Sequence, residues 1–323
     1  MRDTSDFRLL DDLPSDCFDM LVASFAKWLT NEYRFLYAEC LGIKVNMEGS
    51  TLGDILLIDK GDILENANRH GIAVQIQWLN GLENEKLLDL LSQRNPLMLE
   101  LDEYNCYWRK NYKRIHRCHF ILLHRIDLRE SVFICTDTYP TQQHFILPLD
   151  FIIQYGLRVL SFWNKEAPPQ EINPCAILQP LILKYYRKDD IGTAADRLNW
   201  LIDQIPNFNI SNEVKGYQDV DAIYIPVIWK LKNIQWSYKQ FQYLLDFLDM
   251  KQTANLHDYL LRVSKYWEII TNSLTLSIIR KEEIFPSGTI QENLRKVVYN
   301  EERMFEALRH ICEYGYCNYY SGV

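Results

Sequence analysis

The stretch "KRIHRCHFILLHRIDLRESVFICTD", residues 113–137, decides how this chain is read. It sets three histidines, two cysteines and two aspartates around two apolar runs, 119–126 and 131–137. Short runs rich in Ile, Leu, Val and Phe, separated by polar residues, predict two antiparallel strands joined by a turn. Centring that turn on Leu128 sets His119 opposite Asp137, while His116 falls opposite Pro140 and His124 opposite Val132. Facing residues share a face with Cβ atoms about 4.5–5.5 Å apart, so a carboxylate there reaches an imidazole nitrogen. A carboxylate that accepts the imidazole N–H fixes the tautomer of a histidine base and stabilises its imidazolium. A slip of one residue would send the two side chains to opposite faces. The plain alternative is two polar residues at strand ends, facing water.

A His–Asp pair in a chain with free thiols calls for a cysteine nucleophile. The thiolate is the reactive form, and the unpaired N–H groups and dipole at a helix start favour it. Residues 14–30, "PSDCFDMLVASFAKWLT", predict a helix whose apolar face is Phe18, Leu21, Val22, Phe25 and Leu29. Ser15 or Asp16 caps it, and Pro14 suits its entrance. Cys17 then stands in the first turn. Cys118 and Cys135 fall inside the predicted strands, and Cys40, Cys312 and Cys317 lack a helix start. Cys106 and Cys175 lie near loops and stay open as alternatives.

Working outward, "PLMLELDEY" (96–104) and "HFILPLDFI" (144–152) predict further strands, and "GIAVQIQW" (71–78) another. Helices are expected at 60–69 and 83–93. The proline-rich "WNKEAPPQEINP" (163–174) marks a domain boundary. Beyond it, apolar spacings of three and four predict helices at 176–186, 191–204, 237–250, 256–281 and 289–314, with "DAIYIPVIW" (221–229) a strand or loop. The expected fold class is α+β: a catalytic domain with an antiparallel sheet over 1–165, then a mostly helical domain over 175–323 that covers the cleft or docks a donor.

With 323 residues and 48% apolar content the chain can bury a large core. A net charge of −8 argues against nucleic acid as a partner. The local basic run Arg109, Lys110, Lys113, Arg114 and Arg117 reads as a solvated approach to a strand, or as a docking patch for an acidic or phosphate-bearing partner. No targeting segment and no apolar run of membrane-spanning length stand out, so a cytoplasmic protein that contacts no membrane is expected. The eight cysteines form no CxxC pair and no zinc spacing, so neither a disulfide framework nor a metal site is expected.

Four segments, "SDCFDMLVASFAKWL", "LLDLLSQRNPLMLELDEYNCYW", "HRCHFILLHRID" and "VFICTDTYP", resemble the N-terminal domain of the butirosin-biosynthesis acyltransferase family over about residues 10–165. That resemblance implies a papain-like fold related to C39-type peptidases. It also implies a cysteine thioester chemistry of specialised-metabolite or nonribosomal-peptide clusters. The donor would be an acyl or peptidyl carrier protein bearing phosphopantetheine, the acceptor a small amine or peptide, and no cofactor would reside in the chain. By matching position, Cys17 is nucleophile, His119 base and Asp137 its orienter. From their own place at the end of the preceding strand, Asp102 and Tyr104 are expected to line the acceptor pocket as substrate-binding residues, an acid there suiting a cationic amine; a solvated strand end is the equal alternative. Two departures stand out: "HRID" replaces a glycine-containing turn after the histidine strand, and no glutamine precedes Cys17 to act as oxyanion donor. A hydrolase of the same chemistry and a non-catalytic scaffold are the competing readings. Neither the acyl group nor the oligomeric state is legible.

Overall fold

The computed structural model describes residues 6–10, 12–82, 88–90, 96–127, 129–138, 143–165, 173–250 and 254–315. In chain order they form α1 (Cys17–Thr30), β1 (Ile43–Val45), α2 (Leu52–Ile55), β2 (Leu56–Ile58), α3 (Ile63–Arg69), β3 (Ile72–Trp78), β4 (Leu97–Asp102), β5 (Cys118–Asp127), β6 (Val132–Asp137), β7 (Gln143–Pro148), α4 (Leu149–Tyr155) and β8 (Gly156–Asn164). Six further helices follow: α5 (Pro174–Tyr186), α6 (Ala194–Gln204), α7 (Ile210–Glu213), α8 (Pro226–Phe247), α9 (Ala254–Ile279) and α10 (Ser287–His310). The fold is α+β, with an antiparallel sheet and a largely helical C-terminal region.

The chain divides into two compact units, Met1–Leu36 with Ile63–Gln170, and Tyr37–Asp62 with Glu171–Val323. The first contains a six-stranded antiparallel sheet in the order β3-β8-β4-β5-β6-β7. β8 was not expected from the sequence, and it occupies the place between β3 and β4. The run 144–152 divides, its second part turning into α4 rather than extending the strand. α1 lies on one face of the sheet, where Phe18 meets Phe120 at 4.8 Å between ring centroids and Phe25 stacks on Phe162 at 4.3 Å. The helix ends at Asn31, which takes a left-handed conformation and returns its N–H to the Lys27 carbonyl at 2.9 Å. The other face carries the core of Leu97, Leu99, Leu101, Ile121, Leu123, Phe133 and Cys135.

The units part between 170 and 171, and the expected boundary at 163–174 falls largely on residues 166–172, outside the described set. Residues 37–62 differ from the expectation of a single body over 1–165, because they pack with the second unit. The reasons are specific bonds: Glu213 accepts the Leu52 and Gly53 N–H groups, Arg197 Nε donates to the Ile43 carbonyl at 3.1 Å, and the Cys40 thiol meets the Ser237 carbonyl at 3.4 Å. In this unit the segment 221–229 is neither strand nor loop throughout; Pro226 opens α8, where a missing N–H costs nothing. The helix expected over 83–93 falls largely outside the described residues.

Candidate active site

Asp16 is the N-cap of α1, its carboxylate accepting the Asp19 N–H at 2.9 Å, and this makes Cys17 the first helical residue. The N–H groups of Cys17 and Phe18 stand where no preceding turn supplies a carbonyl, so they form the electropositive mouth of a 14-residue helix. The Cys17 thiol is partly exposed, and its sulfur is near enough to His119 to bear on the charge of the ring.

His119 is buried near the start of β5, and its Nε2 meets Asp137 Oδ2 at 2.9 Å. With Nε2 held by the carboxylate, Nδ1 is the ring nitrogen left for the sulfur. Cys17, His119 and Asp137 are thus brought together in one chain of contacts. The register that does this is not the expected one. Ile121, not His119, stands opposite Asp137, and His119 pairs with Leu101 of β4. The difference arises at the turn. Asp127 Oδ1 accepts the Arg129 and Glu130 N–H groups at 3.0 and 3.3 Å, Ser131 adopts a left-handed φ of 53°, and the strand resumes at Val132 opposite Asp127. A bulge at His124 absorbs one residue. The net offset is two residues, an even number, so the two side chains keep a common face and meet diagonally. His124 does not face Val132; its Nε2 bonds Thr136 Oγ1 at 2.6 Å, and His144 meets the same hydroxyl at 2.8 Å.

Behind Asp137 lies a layer that the sequence reading missed. Trp108 Nε1 donates to Asp137 Oδ2 at 2.8 Å, and Arg109 Nη1 lies 3.4 Å from both carboxylate oxygens. Arg109 also donates through Nη2 and Nε to Glu103 Oε1 at 3.0 and 3.2 Å, and Asn111 adds a bond of 3.3 Å to the same oxygen. Arg109, expected in a solvated or docking run, is only 8% exposed. Nothing local in the sequence marks it: the Arg109 N–H closes a turn on the Cys106 carbonyl at 2.8 Å, and that turn brings Trp108 and Arg109 against Asp137. Lys110, Lys113 and Arg114 of that run are exposed, as a solvated segment should be.

The electrostatics follow from these contacts. Burial works against the charged form of His119, yet the Cys17 charge, the bonds to Asp137 and Cys17 and the Asp137 charge outweigh it and push the pKa up to about 9. Burial also opposes the Asp137 carboxylate, but the bond and charge of His119, the Arg109 guanidinium and the Trp108 N–H hold it below the usual carboxylate range. Cys118 is exposed, but desolvation, its bond to Glu100 and the nearby Glu100 and Cys17 charges drive its thiol upwards. Cys135 is buried in the core and pushed up to about 12 by desolvation.

Asp102 and Tyr104 sit in a clasp at the end of β4. Asp102 accepts the Tyr104 and Arg117 N–H groups at 3.0 and 3.1 Å and meets His116 Nδ1 at 2.7 Å. Tyr104 stacks on His116 at 4.1 Å, with Lys113 4.4 Å from its ring centre. His116 therefore has a carboxylate partner after all, in Asp102 rather than at position 140. Among the described residues no cluster of His, Cys, Asp and Glu could hold a metal ion, and no helix is long and apolar enough to cross a membrane. No family model matches the chain, and no curated protein matches it in sequence.

Proposed function

We propose that this chain is a cysteine-dependent acyltransferase. The observation that carries the reading is the buried His119–Asp137 pair at 2.9 Å, with the Cys17 sulfur near enough to bear on the charge of the His119 ring. The Cys17 thiolate attacks the carbonyl carbon of an acyl thioester, forming a C–S bond. The tetrahedral oxyanion is held at the start of α1, where one such donor is typically worth about 10²–10³ in rate. The donor thiolate leaves and takes its proton from the His119 imidazolium. An amine then attacks the acyl-enzyme, and His119 accepts its proton while the Cys17 thiolate is released. Asp137 keeps the imidazole in the tautomer both steps need, and Trp108 and Arg109 hold Asp137.

The resemblance of residues 10–165 extends this to a papain-like, C39-like catalytic domain, with a carrier-protein phosphopantetheine thioester as donor and a small amine or peptide as acceptor in a cytoplasmic biosynthetic pathway. Asp102, at the end of β4 opposite Cys118, is the residue proposed for the acceptor side, where a carboxylate suits a cationic amine. The test is intact-mass spectrometry after mixing with an acyl thioester. Wild type should gain one acyl mass and Cys17→Ala none. An adduct that persists in Cys17→Ala overturns the assignment. Decay of the adduct that no amine accelerates would make the protein a hydrolase of the same chemistry.

A further inference from the structure

Beside the Cys17 end of the sheet, an arginine is held in an unusual way for a partly exposed side chain. Arg158 of β8 stands opposite Trp78 on one side and Glu100 on the other, and Glu100 stands opposite Phe120. Glu100 is 8% exposed. Its Oε2 accepts Arg158 Nε and its Oε1 meets the Cys118 thiol at 3.1 Å. The guanidinium carbon lies 5.2 Å from the Trp78 ring centre and 5.9 Å from that of Phe120. Phe120 in turn touches Phe18, the neighbour of Cys17. Trp78 is 59% exposed on an edge strand, where burial gives a large aromatic ring no reason to be.

The arrangement orients a fork and leaves it open. Glu100 uses only Nε, and among the described residues Nη1 and Nη2 have no acceptor. A guanidinium fixed by one edge and two rings presents its remaining donors with little entropy to lose, and that geometry matches a planar oxyanion. β8 lies two strands from β5, so their backbones are about 10 Å apart; Arg158 shares a face with Glu100 and Phe120, the face on which Phe18 of the Cys17 helix packs, whereas His119 lies on the other face with Leu101.

On the reading that Cys17 is acylated, we propose that Arg158 anchors an oxyanion of the acyl donor, with Trp78 as the platform beneath it. The fork's span suits a carboxylate at the far end of a short acyl chain. A phosphate on the donor arm offers the same chemistry.

The test compares glutaryl and valeryl thioesters of N-acetylcysteamine, which differ in the terminal carboxylate. A charge-assisted bond of this kind is worth about 10- to 100-fold, so glutaryl should load Cys17 faster by that ratio. In Arg158→Gln the ratio should fall to within about threefold of one. The double variant Glu100→Gln/Arg158→Gln, which strands no buried charge, should give the same collapse. Valeryl-phosphopantetheine against valeryl-pantetheine, run in the same variants, reads the phosphate source. Equal wild-type rates in both comparisons, or a preference that survives both variants, overturns the proposal. Should no thioester load Cys17, the acylation reading falls on its own. Calorimetric binding of glutarate to Cys17→Ser then decides the anchor: binding abolished by Arg158→Gln upholds it, and binding indifferent to that change, or absent from the start, overturns it.

Discussion

Replacing Arg109 by methionine keeps an unbranched apolar stem and removes the guanidinium with its charge. A surface ion pair lost this way would cost about 0–1 kcal/mol. Here the side chains of Arg109, Glu103 and Asp137 are 5%, 2% and 2% exposed, so the buried case governs. Glu103 loses two donors of 3.2 and 3.0 Å and keeps Asn111 at 3.3 Å, while Asp137 keeps Trp108 and His119. Breaking one partner out of a buried pair costs about 3–5 kcal/mol, because the remaining charge is stranded. Arg109→Met should therefore lose that much in urea unfolding followed by far-UV circular dichroism. Adding Glu103→Gln removes the stranded anion, and the double variant should recover at least about 1 kcal/mol relative to Arg109→Met, a coupling typical of contacting residues. A loss below about 1 kcal/mol for Arg109→Met, or a double variant less stable than the sum of the singles, would refute the claim that Arg109 and Glu103 are electrostatically coupled.

Two further outcomes are expected. Because the folded-state pKa of His119 is raised from its ordinary 6.5 to about 9, the stability it contributes is complete below about pH 6.5 and is lost as pH rises through about 9; urea midpoints across that window should fall in wild type and fall less in His119→Gln, and parallel curves would contradict the coupling. Asp16→Ala should cost about 1 kcal/mol by removing the cap on the Asp19 N–H, and it should also slow alkylation of Cys17; an unchanged alkylation rate would show that the cap does not position the sulfur.

The helix carrying Cys17 was legible because its apolar face is continuous and its cap is a standard one. The His119–Asp137 pair was legible because strand alternation preserves a face even when the register is two residues off. That offset was not legible, since it depends on the Asp127 side chain taking up two turn N–H groups and on a bulge at His124. β8 escaped notice because "GLRVLSFWN" is half apolar without a strict period, and its place between β3 and β4 is a long-range property. The burial of Arg109 escaped for a related reason. A charge is read as solvated until its partners are known, and here they come from Glu103, six residues away, and Asp137, on another strand. Residues 37–62 joined the second unit through side chains such as Glu213 and Arg197, which nothing local in that segment announces.

The most direct measurement of the central claim is competitive alkylation at pH 6 with limiting iodoacetamide, followed by peptide mapping. Exposure alone favours Cys118, which is exposed while Cys17 is only partly so. Chemistry disfavours Cys118, where desolvation and Glu100 oppose ionisation, whereas Cys17 has His119 beside it as a base. The account predicts that Cys17 is labelled first and that His119→Asn removes its lead. Labelling that follows exposure, with Cys118 ahead of Cys17 in wild type, would contradict it.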